Sequence, residues 1–246
     1  MSLRNCRRKS GSVGVSEKVS ESLSHIDLLS GLAPAERKKI EMSCAFKRYS
    51  AQEQIIDRQS ETTDVFFVVD GDVRVVNYSL SGREITLDDL ATGSHFGELA
   101  AIDVEPRSAS VMALSDCLVA SLPQEQFLAL LEKHPSTALK VMRTLTGIVR
   151  FSTDRIMDLS TLAANNRVQA DVLRLAKSHM DGKNAARITP IPTHSDIASR
   201  ASTTRETVAR VLSDLARHGI VERKKSALVI HDVEQLSDMV EEVRGE

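Results

Sequence analysis

The spacing of apolar residues divides the chain into successive segments with different patterns. Between residues 46 and 122, short β-rich runs are separated by turn residues. Many short strands joined by Gly-containing turns are typical of an antiparallel β-sandwich or β-roll rather than of a parallel sheet. Asp70-Gly71 predicts a β-hairpin between two of these runs, and Ser81-Gly82 predicts another turn.

A helical pattern begins at Pro135, where apolar residues recur with alternating steps of three and four positions. Such a heptad pattern predicts a helix with one apolar face. A helix of roughly 28 residues is about 40 Å long, more than one small β domain can cover, so we expect a homodimeric coiled coil. The alternative is a helix that packs on its own domain. The positions of this face, here called the seam, are Met142, Leu145, Val149, Ser152, Ile156, Leu159 and Ala163.

Two short segments near the C-terminus have the sequence signature of a helix-turn-helix. Thr193 and Asp196 are spaced as a capping box at the start of the first helix, and Thr203 and Glu206 are spaced in the same way at the second. Small residues separate the two helices, and the second is rich in arginine. A β-rich run with a basic tip at Lys224 follows, and it predicts a wing.

The charge and the cysteines restrict the classes of partner. The 246-residue chain has a formal net charge of −2, but residues 183–230 contain nine basic and four acidic side chains. A basic region favours contact with a phosphate backbone. The three cysteines are scattered and odd in number, which favours neither a disulfide framework nor a zinc or iron–sulfur site, and predicts a cytoplasmic protein. No apolar run is long enough to cross a bilayer, so no membrane partner is expected.

Four residues in the β-rich segment have the chemistry of a sugar–phosphate clamp. Gly97 lets a ligand approach the backbone closely, and the Glu98 carboxylate accepts hydrogen bonds from hydroxyl groups. Arg107 offers a planar fork that matches an anionic phosphate, and Ser108 adds a hydroxyl donor. The alternative is an ordinary surface ion pair between Glu98 and Arg107 beside a turn.

This pattern resembles the phosphate-binding cassette of cyclic-nucleotide-binding domains. The resemblance implies that Glu98 binds the ribose 2′-hydroxyl and that Arg107 binds the cyclic phosphate. Gly97, Leu99 and Ser108 are expected to assist them.

Two hydroxyl residues on the long helix are candidates for contact with the nucleobase. Ser152 is a polar member of the seam, and Thr153 follows it. Their place is similar to that of two adjacent hydroxyl residues that touch the base in this family, one of them from the partner subunit. A polar seam residue also fixes the register of a coiled coil, so both roles stay open for Ser152. The expected effector is cAMP or cGMP, with no metal or haem.

Residues 205–210 are similar to the recognition helix of the Crp/Fnr family of transcription regulators. Arg205 and Arg210 have the side chain that pairs bidentately with guanine, and Glu206 can accept a hydrogen bond from cytosine. The alternative is a solvated helix face rich in charge. The other candidate DNA contacts are Thr193, Thr203, Thr204 and Lys224.

The resemblance covers about residues 25–231 and sets the expected architecture. The expected fold class is α+β, with an antiparallel β-roll, a long dimerisation helix and a winged helix-turn-helix. Segments 51–53 and 59–61 lack a glycine that the family often carries, and Ser202 replaces a common glycine in the helix-turn-helix turn. Asn165-Asn166 is the expected hinge after the long helix. The expected divisions are a flexible tail at 1–22, the cyclic-nucleotide-binding domain at 23–134, the dimerisation helix and hinge at 135–164 and the DNA-binding domain at 165–246.

The resemblance therefore implies a transcription regulator that responds to a cyclic nucleotide. It is expected to bind an inverted-repeat DNA operator as a homodimer and to contact RNA polymerase. One alternative is a regulator of the same family that binds DNA without a nucleotide or senses another small effector. An enzyme that hydrolyses the nucleotide is disfavoured, because the sequence offers no nucleophile–base pair or metal cluster. A kinase-type regulatory subunit is also disfavoured, because that function does not require a basic helix-turn-helix.

Overall fold

The structure, a computed structural model, describes residues 22–245. The predicted tail at 1–22 lies outside the described residues except for Ser22. Among the helices of the described part, none combines the length and the apolar character that crossing a membrane requires.

The β-rich segment contains eight strands: β1 (Ala45–Tyr49), β2 (Gln54–Ile56), β3 (Val65–Asp70), β4 (Asp72–Tyr78), β5 (Glu84–Ala91), β6 (His95–Phe96), β7 (Ser110–Ala113) and β8 (Cys117–Leu122). They form two four-stranded sheets with the orders β1-β8-β3-β6 and β2-β7-β4-β5. Every pairing within these sheets is antiparallel. The predicted antiparallel β-roll is therefore confirmed.

Strand β3 shows how the apolar pattern places the two sheets. Successive side chains of a strand point to opposite faces. Val65, Phe67 and Val69 pack with Phe127 in one apolar cluster, whereas Val68 belongs to a second cluster shared with the other sheet. Full burial of such a side chain contributes about 1.5–3 kcal/mol. The strand is therefore fixed on both faces.

The hairpin predicted at Asp70-Gly71 is wrong, because β3 and β4 belong to different sheets. Gly71 has a φ of 85° and forms the corner where the chain passes from one sheet to the other. A Cβ atom at this position would lie 2.6 Å from the carbonyl oxygen of Asp116, so the corner has no room for a side chain. The turn at Ser81-Gly82 is confirmed, because β4 and β5 pair on either side of it.

Four helices accompany the β-roll: α1 (Pro34–Ser43), α2 (Glu98–Asp103), α3 (Gln124–Lys133) and α4 (Pro135–Thr161). A 3₁₀ turn at Asp27–Leu29 precedes α1, and Pro34 is the first residue of α1. The 27 residues of α4 confirm the predicted long helix. Its Val149 and Ile156 are 64 % and 63 % exposed. This exposure disfavours the alternative in which the seam is buried against the helix's own domain.

The rest of the chain forms α5 (Ala164–Ser178), β9 (Ala186–Ile188), α6 (His194–Arg200), α7 (Arg205–Arg217), β10 (Val221–Arg223), β11 (Leu228–Ile230) and α8 (Val233–Arg244). The three strands form one antiparallel sheet with the order β10-β11-β9. The β10–β11 hairpin is the predicted wing, whereas α8 was not expected from the sequence. One apolar cluster joins these elements through Val168, Ile197, Val208, Leu215 and Leu236.

The hinge predicted at Asn165-Asn166 is displaced toward the N-terminus. Both asparagines lie in the first turn of α5, and the helical path breaks at Leu162 and Ala163, which have ψ angles of 139° and 157°. Leu162 is only 5 % exposed and belongs to the apolar cluster of the C-terminal elements. Burial of this leucine therefore sets the break, rather than the polarity of the asparagine pair.

We expect Gly71→Ala to lower the free energy of unfolding by more than Gly82→Ala. Both glycines have positive φ, which costs an alanine about 1–2 kcal/mol, but a Cβ atom at Gly82 meets nothing within 4 Å. The clash at Gly71 adds about 1–3 kcal/mol through overpacking. Urea denaturation of both variants measures the difference. Equal losses would show that the corner tolerates a side chain.

Candidate functional site

A cavity of about 400 Å³, here called the sheet–helix cavity, lies between the β-roll and α4. Six of the seven residues predicted to bind the effector line it: Gly97, Glu98, Leu99, Arg107, Ser108 and Ser152. Thr153 does not line the cavity of its own chain. Its Oγ1 donates to the carbonyl oxygen of Val149 at 2.9 Å, and the residue is exposed.

Arg107 is held in place by the backbone around the cavity. Its Nη1 donates to the carbonyl oxygen of Gly97 at 2.9 Å, its Nη2 to that of Asp64 at 2.8 Å, and its Nε to Thr62 Oγ1 at 3.2 Å. Two of the five N–H groups of a guanidinium remain free for a ligand. Gly97 has a φ of 86°, and a Cβ atom there would lie 2.7 Å from Arg107 Nη1. The glycine is therefore required for the arginine to reach this position.

Glu98 and Arg107 are both buried, with 6 % and 4 % of their surface exposed. Burial raises the pKa of Glu98, an effect that a backbone hydrogen bond and Arg107 reduce. Burial also lowers the pKa of Arg107. Among the described residues, no ion pair with an N···O distance of 4 Å or less joins Glu98 to Arg107. The alternative of an ordinary surface ion pair is therefore wrong, since the two charges are desolvated and separate.

Aromatic and apolar side chains complete the cavity. Phe66 and Phe96 stack with ring centroids 5.1 Å apart, and the Arg107 guanidinium lies 5.5 Å from the Phe66 centroid. Such a cation–π contact contributes about 0.5–2 kcal/mol. On the other wall, α4 contributes Ile148 and Phe151.

Sequence reasoning missed Arg155, which also lines the sheet–helix cavity. Its Nη1 donates to the Thr86 carbonyl oxygen of β5 at 2.6 Å, and its Nη2 is buried without a partner among the described residues. A signal was present in the sequence, because Arg155 follows Ser152 and Phe151 by one helical turn. Ser152 belongs both to this stripe and to the seam, and a seam defined by apolar spacing gives no role to an arginine.

The helix-turn-helix has one of its two predicted capping boxes. Thr193 caps α6 and exchanges hydrogen bonds with Asp196, as predicted. The box predicted for Thr203 and Glu206 is wrong, because Thr204 caps α7 and accepts from the backbone N–H of Thr207 at 3.3 Å. Thr204 is the last residue with extended backbone, so the helix begins one residue later than expected.

Most of the predicted DNA contacts lie on accessible surface. Thr193, Thr204, Arg205, Glu206, Arg210 and Lys224 are exposed, and Thr203 is half-buried. Arg205 Nε donates to Ser195 Oγ at 3.1 Å. The first half of α7 therefore exposes two guanidinium groups and one carboxylate to solvent.

At two of the positions where this chain lacks a glycine that the resembled family often carries, the backbone still has the conformation that glycine favours. Ser202, in the turn before α7, has a φ of 49°, and Gln52 has a φ of 70°. Left-handed backbone costs a non-glycine residue roughly 1–2 kcal/mol. The turns are therefore kept at some cost in stability.

The helix-turn-helix packs against the β4–β5 hairpin through charged and hydroxyl groups. Arg74 of β4 donates to Asp196 of α6 at 2.6 Å and to Asp89 of β5 at 2.6 and 2.9 Å. The hydroxyls of Thr86 and Ser199 lie 2.7 Å apart and are buried. The β-roll and the helix-turn-helix are thus in direct contact, which the sequence did not reveal.

Within residues 22–245, no group of three or more His, Cys, Asp or Glu side chains is arranged to hold a metal ion. His95 lines the sheet–helix cavity, and burial lowers its pKa. The expectation that neither metal nor haem is bound stays a prediction.

Comparisons with known proteins match both halves of the chain. A family model described as "Cyclic nucleotide-binding domain" matches residues 46–134. A model described as "Crp-like helix-turn-helix domain" matches residues 166–239. These ranges contain the sheet–helix cavity of the β-roll and the α6–α7 pair, respectively.

Individual relatives match across most of their length. The cyclic AMP receptor protein of Thermus thermophilus is 31% identical over 86% of this chain and 95% of its own. The cAMP-activated global transcriptional regulator Vfr of Pseudomonas aeruginosa is 28% identical over 78% and 92%. A solved structure of a CooA mutant from Carboxydothermus hydrogenoformans has a TM-score of 0.75 at 22% identity, covering 87% of this chain and 94% of its own. The curated relatives are transcription regulators, and this chain is likewise not an enzyme.

We expect the contact between Arg74 and Asp196 to couple the β-roll to α6. The two side chains are 11 % and 24 % exposed, so their hydrogen bond is partly shielded from solvent. A double-mutant cycle with Arg74→Met and Asp196→Asn, measured by urea denaturation, should give a coupling free energy of about 0.5–3 kcal/mol.

The same cycle on the exposed pair Arg217 and Asp214 is the control, and we expect a coupling free energy of less than about 0.5 kcal/mol there.

The coupling should also depend on pH. Burial raises the pKa of Asp196, but hydrogen bonds from Thr193 and Arg74 have a larger opposite effect, so the pKa lies below its ordinary value of 3.8. The coupling should thus be complete above pH 3.8 and lost as the pH falls further. Equal coupling in both pairs at neutral pH would contradict the assignment.

Proposed function

Because this chain belongs to the Crp/Fnr family of transcription regulators, we propose that it is a homodimer whose DNA binding is controlled by a 3′,5′-cyclic nucleotide. It is a DNA-binding regulator with a cyclic-nucleotide-binding domain. The proposed effector is cAMP, with cGMP as a second ligand. The observation that carries the proposal is a cavity between the β-roll and α4 in which Glu98 and Arg107 are buried without pairing to each other.

The proposed binding mode follows from the donors and acceptors in that cavity. The free N–H groups of Arg107 and the hydroxyl of Ser108 donate to the cyclic phosphate, and Glu98 accepts from the ribose 2′-hydroxyl. A buried charge without a countercharge is costly, so Arg107 gains from the negative charge of the phosphate and Glu98 gains from a hydroxyl donor. A volume of about 400 Å³ is within the range of small-ligand sites.

The seam supports the proposed homodimer. Met142, Val149, Ile156 and Leu159 are 54 %, 64 %, 63 % and 44 % exposed, and they recur at heptad spacing. Two such helices can bury these side chains against each other. In that dimer, Ser152 contacts the base in its own cavity, and Thr153 contacts the base bound by the partner subunit.

Dimerisation also sets the form of the proposed DNA site. Two copies of α7 related by a twofold axis read an inverted repeat whose half-sites are about 34 Å apart. Arg205, Glu206 and Arg210 contact base edges, while Thr193, Thr203, Thr204 and Lys224 contact the backbone. The regulator is proposed to act in the cytoplasm and to contact RNA polymerase on the operator.

The nucleotide is proposed to act by selecting one arrangement of the long helix and the domain that follows it. Regulation requires that the ligand bind one conformational state more tightly than the other, because a ligand with equal affinity for both does not change their populations. A preference of about 10²-fold at each site shifts a dimer's equilibrium by about 10⁴. The break at Leu162 and Ala163 and the contacts of β4–β5 with α6 are the places where the arrangement can change.

The proposal is tested by titrating the purified full chain with cAMP and with cGMP while its binding to a pool of palindromic DNA is measured. We expect DNA affinity to rise with nucleotide, and sedimentation to give the mass of a dimer. DNA binding that does not change with either nucleotide would favour a family member that senses another effector or none. Sedimentation as a monomer in the DNA-binding state would contradict the proposed homodimer.

Arg107→Ala should weaken cyclic nucleotide binding by about 2–4 kcal/mol, because charge-assisted hydrogen bonds to the phosphate are lost. Isothermal titration calorimetry measures the change, and Arg48→Ala, at an exposed arginine of β1, is the matched control. Circular dichroism confirms that the variant is folded. A loss of less than about fivefold in a folded variant would contradict the assignment of Arg107 to the phosphate.

Arg205→Ala should cost about 1–3 kcal/mol in binding to the preferred operator and relax the preference at one base pair. Arg217→Ala is the control, since Arg217 is on the same helix but at its C-terminal end. Binding to a set of operators with single substitutions measures both effects. If Arg205→Ala weakened all sequences equally, Arg205 would be a phosphate contact and not a base contact.

A further inference from the structure

A second cavity, here called the junction cavity, lies where α4, α5, α6 and α8 meet. Its volume is about 380 Å³, close to that of the sheet–helix cavity. The two cavities share only Phe151, Arg155 and Leu159 among their lining residues. The junction cavity is therefore a separate space, and nothing in the proposed function uses it.

Positive charge predominates in the wall of the junction cavity. Three carboxylates line it, Asp154, Asp158 and Asp171, against six cationic side chains. The cationic side chains are Arg155, Arg167, Arg174, Lys177, Arg200 and Arg244.

The carboxylates neutralise only half of these cations. Asp171 pairs with Arg174 and Arg200, and Asp158 pairs with Arg244 at 2.7 Å. Among the described residues, Arg155, Arg167 and Lys177 have no carboxylate within 4 Å. The cavity therefore has an excess of positive charge beyond what its own acids balance.

Two cationic groups of this wall are also short of hydrogen bonds. The Nη2 atoms of Arg155 and Arg200 are buried and have no partner among the described residues. The Arg200 side chain is only 7 % exposed. An unsatisfied buried donor on a charged group is costly. Any hydrogen-bond acceptor would satisfy these N–H groups, and a negatively charged one would do so most strongly.

The excess charge also acts on the arginines themselves. Burial lowers the pKa of Arg155, and the nearby Arg174 and Arg200 lower it further, although Asp171 acts in the opposite direction. Like charges this close repel one another in a shielded environment. An anion between them would relieve the repulsion and join α4 to α5 and α6.

We propose that the junction cavity binds a small phosphate-bearing anion, no larger than a mononucleotide. Guanidinium groups match phosphate oxygens in geometry as well as charge, and three cations without a carboxylate fit a multiply charged ligand better than a single carboxylate. Because the ligand contacts the long helix and the DNA-binding elements together, it stabilises the arrangement in which they meet.

The test is isothermal titration of the full-length protein with sodium pyrophosphate at constant ionic strength, with the sheet–helix cavity first saturated with cAMP. We expect one site per chain with a Kd below about 1 mM. Adenosine 5′-monophosphate, titrated in the same way, shows whether a base adds affinity. Titration of Arg107→Ala, in which the other cavity is disabled, should give the same pyrophosphate affinity.

Two variants locate the site. Lys177→Gln should weaken pyrophosphate binding by at least about fivefold, because a cation without a carboxylate is lost from the wall. Lys177 is exposed, so its replacement leaves the fold intact. Lys39→Gln, at an exposed lysine of α1, is the control and should change nothing. Equal affinity in the two variants means an adventitious ion only and overturns the proposal, as does the lack of saturable binding up to about 10 mM.

Discussion

A single helix has to serve three surfaces at once, and the rest of the molecule depends on how it does so. The 27 residues of α4 extend about 40 Å, beyond what the β-roll covers. One stripe, with Ile148, Ser152 and Arg155, closes the sheet–helix cavity. Another, with Asp154 and Asp158, lines the junction cavity. The third is the seam, which shares Ser152 with the first stripe and whose Met142 and Val149 are largely exposed. Since the helix is rigid, a shift that improves one of these contacts is felt at the other two.

Buried charged side chains are concentrated beside the two cavities. Arg107 and Glu98 are buried beside one cavity, and Arg200 and Asp171 beside the other. Burial of a charge opposes folding unless partners replace the lost water. Arg107 obtains its partners from backbone carbonyls, which fix its direction but leave its charge uncompensated. Such a group is held ready for an anion without having to move.

The contact of the β4–β5 hairpin with α6 gives the sensor a direct route to the DNA-reading helices. Arg74 holds Asp196, and Asp196 also closes the capping box with Thr193. The start of α6 is thus hydrogen-bonded to β4 of the β-roll, and α7 begins five residues after α6 ends. In the proposed mechanism, a ligand that shifts β5 or α4 would act on α7 through these side chains.

The sequence alone determined the elements whose signals are local. The continuous apolar run of β3, the seam of α4 and the Thr193–Asp196 box each depend on neighbours a few positions away. The clustering of Gly97, Glu98 and Arg107 was also foreseen, because they are close along the chain. Tertiary structure decided the rest. It placed β3 and β4 in different sheets, because β3 pairs with β8 and β6 whereas β4 pairs with β7 and β5. It moved the break to Leu162, because a core formed by distant helices buries that leucine. It also brought Arg155 and Arg200 together across long stretches of chain, and contacts between such distant residues leave no periodic trace in a sequence.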